Sequence, residues 1–255
     1  MENNYINRLK FKMLEQDFST SYINKCCTYA TSLISQNLPV IFDKKHLNQI
    51  LMLDTLKLDC YHEFEIYTKG KSRKILAPSK PLKLRQRWIL DEILNKLPTN
   101  QCCHGFVHQR SIKTNAEMHV NKTQVLCMDI HNFFPSININ QVFNVFHCIG
   151  YTSDVARALA ELCTHNDILP QGAPTSPSLA NIIFGPIDQQ ILNAISTKEI
   201  TYTRYADDLI FSSSHELNFL IPLVSKITST NGFEINNNKT HLMKNPYRKM
   251  ITGLI

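Results

Sequence analysis

The chain has 255 residues, 43% of them hydrophobic and 19% charged, enough for one large domain or two small ones around a real core. Seven glycines, eleven prolines and no fixed-period repeat exclude collagen-like, low-complexity and solenoid architectures, and no apolar run approaches the roughly 18 to 20 residues of a membrane span. The net charge of +6 is uneven, with 18 Lys and Arg against 11 Asp and Glu in residues 1–120, and 9 against 10 in residues 121–255.

The N-terminus, MENNYINRLKFKMLEQ, builds no apolar stretch with a small-residue cleavage site, so no secretory signal is read and a cytoplasmic location is expected. Ile6, Leu9 and Met13 recur at helical spacing, and Asp43 precedes KKHLNQILML as an N-cap, which predicts a helical N-terminal layer. His62 to Tyr67 alternates, and after Lys69-Gly70-Lys71 a second short run from Arg73 to Leu76 leads to Pro78; a β-hairpin fits. Lys69 to Arg87 holds eight bases and no acid, a pattern that suits either a solvated face or nucleic-acid phosphates. Leu82 to Leu97 reads as a helix closed by Pro98. Eight cysteines, two adjacent pairs among them and no CxxC, point to reduced, mostly buried thiols rather than a zinc site.

From residue 121 strands alternate with helices. Thr123 to Ile130 reads as a strand and Leu179 to Ile195 as a helix. Ile200 to Tyr205 and Leu209 to Ser212 flank a tight turn; Glu216 to Thr230 reads as a helix and Phe233 to Met243 as extended. The order β, α, β, β, α, β predicts an α+β fold with a ferredoxin-like sheet, helices on one face, and an insertion over residues 138–175. Such a sheet can bring Asp129, at a strand end, beside Asp207 and Asp208 at a hairpin tip. Three carboxylates so close repel unless hard cations neutralise them. Two Mg²⁺ ions about 3.5 to 4 Å apart would do so, and would serve an in-line phosphoryl transfer.

MDIHNFFPSI (128–137), LPQGAPTSPSLAN (169–181), RYADDLIFSS (204–213) and GFEINNNKT (232–240) resemble, in order and spacing, successive motifs of reverse transcriptases. HGFVHQRSIKTNAEMH (104–119) and Ile251-Thr252-Gly253 resemble the retron versions of two further blocks, the latter with Ile for Val. The resemblance implies a right-hand polymerase. Its parts would be N-terminal helices and fingers (1–103), a first palm part (104–137), a fingers insertion (138–175) and a second palm part (176–255). A helical thumb would follow in such enzymes; the chain stops at Ile255, so either the chain is shortened or the thumb is absent and something else holds the duplex.

Carried over by position, Asp129, Asp207 and Asp208 are the implied catalytic and metal-binding residues, with the Ile130 backbone at the metal and Asn132 at the triphosphate. Phe134 takes the position that excludes a ribose 2′-hydroxyl, and one of Phe133 and Phe134 is a core aromatic, since strand neighbours point opposite ways. Gln171 and Gly172 would approach the nucleotide and Arg73 would grip the triphosphate; Lys71 either assists or is merely solvated. Lys239 is either a proton donor to pyrophosphate or a surface lysine. Asn115 and His119, at i and i+4, are either a structural hydrogen-bonding pair or contacts to RNA, made directly or by shaping the surface. Lys80, Lys83, Arg85 and Arg87 would track RNA phosphates, and Thr252 and Gly253 would lie on a strand at the primer edge.

The implied activity is RNA-directed DNA synthesis with dNTPs and magnesium on a structured non-coding RNA. The product would be a branched RNA-linked msDNA, and an effector protein would complete a phage-defence system. The alternatives are a polymerase-like scaffold that restrains the effector, and a group II intron-type enzyme.

Overall fold

A computed structural model describes residues 2–52, 61–68, 71–244 and 249–254. In chain order the elements are α1 (Glu2–Glu15), α2 (Thr20–Ser35), α3 (Lys44–Ile50), β1 (Tyr61–Thr68), β2 (Lys71–Pro78), α4 (Lys80–Glu92) and α5 (Ile112–Glu117). They continue with β3 (Gln124–Asp129), α6 (Ile139–Cys148), α7 (Ser153–Cys163), α8 (Ser176–Ile195), β4 (Thr201–Tyr205), β5 (Asp208–Ser213), α9 (Leu220–Thr230) and β6 (His241–Lys244). They fall into two compact units, Met1–Leu97 with Ile139–Thr175, and Pro98–Asn138 with Ser176–Ile255. Among the described residues no helix is long and apolar enough to cross a membrane.

The first unit is helical apart from one hairpin. Asp43 caps α3 by accepting from the His46 amide at 2.7 Å, as its sequence position predicts. The extended stretch between α2 and α3 is pinned by two tyrosines: the Tyr29 hydroxyl donates to Ile41 O at 2.6 Å and that of Tyr151 to Pro39 O at 3.0 Å. Ile23, Leu33, Leu47, Ile89 and Leu159 are fully buried. β1 and β2 pair antiparallel from Tyr61↔Pro78 to Thr68↔Lys71, and the Lys69-Gly70 turn lies outside the described residues.

The second unit is built on an antiparallel four-stranded sheet in the order β4-β5-β3-β6, the order of a ferredoxin-like sheet. Strand alternation sorts its side chains. Tyr202 and Arg204 of β4 point to the side where Asp188 of α8 meets them. Val125 and Ile210 point to the other side, where Ile251 and Ala116 of α5 pack. The expectation of helices on one face is therefore incomplete, because α5 covers part of the opposite one. The sequence pattern also overestimates the last strand: residues 233–240 hold one isolated bridge, Ile235 to Ile130, and a 3₁₀ turn at Asn237–Lys239, and only His241–Lys244 pairs with β3. Of the seven described cysteines, all free, Cys102, Cys103 and Cys163 are buried and Cys148 is exposed.

Candidate active site

Asp129 is the last residue of β3 and Asp208 the first of β5, and the two are direct partners in the antiparallel ladder. Asp207 lies in the β4–β5 turn, held to the end of β3 by a 3.0 Å bond from the Ile130 amide to Asp207 O. The chain after α9 returns alongside: the His131 amide donates to Glu234 O at 2.8 Å and that of Asn236 to Asp129 O at 2.7 Å. This delivers Lys239, whose Nζ donates to both Asp129 carboxylate oxygens at 2.8 and 2.7 Å. Burial, then the neighbouring Asp207 and Asp129 carboxylates, raise the Asp208 pKa to about 6.

The β4–β5 turn is strained and heavily supported. Ala206 has φ 57°, a left-handed conformation that costs a non-glycine residue about 1 kcal/mol or more. Beside it runs the segment 102–105: the Arg204 amide donates to Cys102 O at 2.8 Å, and Arg204 O accepts from the His104 amide at 2.7 Å. Arg204 is fully buried and ion-paired with the equally buried Asp188, Nη2 to Oδ2 at 2.8 Å. Burial opposes the guanidinium charge, and the Asp188 carboxylate more than restores it.

The remaining residues singled out in the sequence are divided between the two units. Residues 131–136 form turns rather than a strand, so alternation does not separate the two phenylalanines. Phe133 is buried in an aromatic cluster with Phe184 and Phe233 and is a core residue, not a nucleotide contact. Phe134 is half-buried beside it, and Asn132 adopts φ 48° at the start of the turns. Ile130 is buried, its amide engaged with Asp207.

Gln171 and Gly172 belong to the other unit, where Gln171 O accepts from the Leu76 amide of β2 at 2.9 Å. Gly172 has φ +132°, and a Cβ there would lie 2.6 Å from Leu76 O, so its glycine is explained by contact with the hairpin. Lys71 and Arg73 lie in β2, and their side chains fall outside the described residues.

Arg85 is not available to RNA phosphates. It is buried, donating to Leu51 O at 3.1 Å and Met52 O at 2.9 Å, a cation neutralising the C-terminal end of α3. Lys80, Lys83 and Arg87 are exposed on α4.

His119 lies just beyond the end of α5, in the interior. Its ring bridges two strands, with Nε2 2.7 Å from Thr203 Oγ1 of β4 and Nδ1 2.7 Å from Ser212 Oγ of β5. Asn115 is also fully buried, with no protein partner for either amide atom. Neither side chain reaches the surface to touch RNA directly, and the bonds of His119 to Thr203 and Ser212 are structural. Thr252 and Gly253 are not on a strand; they form the turn of a one-bridge hairpin closed by Ile251 and Leu254. Ala116, His119, Val125, Ile251 and Leu254 line one cavity of about 740 Å³, so the two retron-like blocks meet.

Residues 57–251 match the family described as reverse transcriptase (RNA-dependent DNA polymerase). The chain is 36% identical over 216 residues to the retron Ec86 reverse transcriptase of Escherichia coli, which covers 80% of this chain and 68% of that one. It belongs to the retron reverse transcriptases. It is also 35% identical over 205 residues to the retron Mx65 reverse transcriptase of Myxococcus xanthus, covering 72% of this chain and 48% of the relative. To the retron Ec73 reverse transcriptase of E. coli it is 38% identical over 161 residues, 57% of this chain and 51% of the relative. The chain thus spans two thirds of the first relative's length and about half of the other two.

In this retron reverse transcriptase the three carboxylates fit a hard divalent cation by their chemistry, and burial, with the neighbouring carboxylates adding to it, raises the Asp208 pKa. Among the described residues, no three His, Cys, Asp or Glu side chains already converge on one point. Lys239 supplies the positive charge at Asp129, so a cation there would share the carboxylate with Lys239 or displace it.

Sequence reasoning missed Arg204 and Asp188. The available signal was Asp188 itself, a lone acid in the apolar run IIFGPIDQQIL, which has to find a buried partner.

The His119 bridge has a pH consequence. Burial, helped by His104 and Lys122, lowers its pKa to about 4, against an ordinary 6.5. The unfolded chain therefore binds more protons between those values, and stability is lost as pH falls from about 6.5 to about 4. The shift is worth about 3 kcal/mol. His119→Phe removes this part of the acid sensitivity, which urea unfolding at pH 7.5 and pH 5 checks: the wild type loses more than the variant between the two.

Proposed function

We propose that the chain is the RNA-directed DNA polymerase of a retron, extending a 3′-hydroxyl with dNTPs on a folded RNA, with the second unit as palm and the first as fingers. Asp129 opposite Asp208 on paired strands, with Asp207 in the adjoining turn, carries this assignment. Asp129, Asp207 and Asp208 would hold magnesium, which when bound supplies charge neutralisation at the transferring phosphate and a more acidic primer hydroxyl. The three residues themselves fix where that charge sits, because each is anchored through backbone pairing rather than on a free loop. Lys239 Nζ balances Asp129, and it is assigned to giving a proton to departing pyrophosphate. Phe134, braced by the buried Phe133 ring at 5.5 Å, is assigned to exclusion of the 2′-hydroxyl. Arg73, with Lys71, is assigned to the triphosphate, and Gln171 to the nucleotide. The names of the relatives, retron reverse transcriptases, support an RNA template and a DNA product; a branched msDNA, an effector protein partner and a cytoplasmic location complete the reading and rest on the sequence resemblance.

The test is primer extension on an RNA template with purified protein, dNTPs and Mg²⁺, beside the Asp207→Asn/Asp208→Asn double variant. Incorporation by the wild type alone is expected, and nucleic acid purified with it from cells carrying its flanking locus should contain a small DNA that migrates faster after RNase. A wild type that incorporates nothing with either Mg²⁺ or Mn²⁺ refutes the assignment and favours the scaffold reading.

A further inference from the structure

We propose that Arg204 is a positioning residue for the catalytic carboxylates, tethering the Tyr205–Asp208 turn to α8 through its guanidinium. The inference rests on the polymerase reading for its catalytic consequence, though the tether itself does not.

The guanidinium spans two elements and a turn. Nε donates to both Asp188 oxygens at 3.0 and 3.1 Å, and Nη2 to Asp188 Oδ2 at 2.8 Å. Nη1 donates to Asn181 Oδ1 at 2.9 Å and to Ala206 O at 3.2 Å. Its Cζ lies 4.9 Å from the Phe184 ring centroid, and Phe184 packs edge-on against Phe133 and Phe233. The far side of the guanidinium is thus anchored in the core, and the near side holds the carbonyl of the one turn residue in a left-handed conformation. Ala206 immediately precedes Asp207, so any drift of that peptide moves Asp207 directly and Asp208 through the end of the ladder.

Stability alone does not account for this choice. A fully buried ion pair is commonly replaceable by apolar side chains of similar volume without loss of stability, because desolvation of both charges offsets their attraction. What an apolar pair cannot supply is a donor to Ala206 O. Nor can lysine, whose single ammonium lacks the fork needed to serve Asp188, Asn181 and Ala206 together at these angles. Tyr202, whose hydroxyl donates to Asp188 Oδ1 at 2.8 Å, ties β4 to α8 but makes no bond to the turn.

Three variants separate the roles: Arg204→Lys, Asp188→Asn, and the double variant Arg204→Met/Asp188→Asn, which removes both charges while the introduced side-chain amide keeps an acceptor for Tyr202. Two measurements are made on each, amide hydrogen exchange in metal-free protein, and kcat, dNTP KM and the Mg²⁺ half-activation point in primer extension, with the melting temperature as control. Arg204→Lys and the double variant should exchange the amides of residues 205–208 about tenfold faster. They should also lose about 10²-fold in kcat, with KM within about threefold and more Mg²⁺ required. Asp188→Asn, which keeps the donor to Ala206, should melt earlier yet stay within about threefold of wild type in exchange at the turn and in kcat. The proposal is overturned if kcat simply follows melting temperature across the three, or if the double variant folds with wild-type exchange at 205–208. Should the wild type not polymerise at all, the exchange measurement still decides the tether, and only the polymerase reading falls.

Discussion

Gly105→Ala is expected to destabilise the protein by about 3 kcal/mol and lower its melting temperature by about 6 to 10 °C. A Cβ at Gly105 would fall on the Ala206 backbone nitrogen, inside van der Waals contact, and would stand 3.1 Å from Tyr205 C and 3.2 Å from its Cα. All three neighbours are backbone, so no side chain can swing aside. Gly105 cannot retreat easily either, because its carbonyl accepts from Asn181 Nδ2 at 2.8 Å and the preceding amide is paired with Arg204 O. Whatever yields is next to Asp207, so the folded fraction should also lose about 10²-fold in primer extension. Gly185→Ala is the internal control: it lies within α8 with nothing within 4 Å of its Cβ position, and should be neutral or stabilising by up to about 1 kcal/mol. Thermal melts of the two variants decide the matter; equal melting temperatures would refute the close-approach explanation.

Most of what was legible in the sequence was local. Asp43 caps the helix it precedes, and the alternation of His62 to Tyr67 becomes β1. The β, α, β, β, α, β order yields the predicted strand order because short connections leave few antiparallel arrangements. What was not legible is mostly pairwise and distant. Arg204 meets Asp188 across 16 positions, and His119 meets Thr203 and Ser212 across 84 and 93, in contacts no periodicity encodes. For Asn115 and His119 the pattern leaves structural and RNA-contact readings open; burial gives His119 hydroxyl partners on two strands. The turns at 131–136 replace a strand because the chain there must leave the sheet, and Asn132 takes the left-handed conformation that starts the departure. Glu216 to Phe219 precede α9 rather than joining it, and the apolar Leu217 there is buried for packing reasons, which mimics a helical period.

Asp208→Asn should stabilise the metal-free protein while reducing primer extension by about 10³-fold or more. Burial and the adjacent Asp207 and Asp129 carboxylates raise the Asp208 pKa from an ordinary 3.8 to about 6. The folded state therefore binds this proton more tightly than the unfolded chain does. Between pH 4 and pH 6 folding takes up a proton, so stability falls as pH rises through that window and stays lowered above it. At pH 8 in EDTA the asparagine relieves the repulsion and should raise stability by about 1 to 2 kcal/mol after solvent screening of a partly exposed group. Below pH 4 both forms are neutral and the difference should vanish. Added Mg²⁺ should reverse the order, because the cation neutralises the wild-type carboxylates and has less to bind in the variant, so the wild type gains the larger rise in melting temperature. A variant that is less stable than wild type at pH 8 in EDTA would show that the three carboxylates do not repel one another in the folded protein. The stability given up by the wild type is then the cost of burying Asp208 beside two other carboxylates, and a rise in melting temperature with Mg²⁺ would show that the same charge attracts a cation.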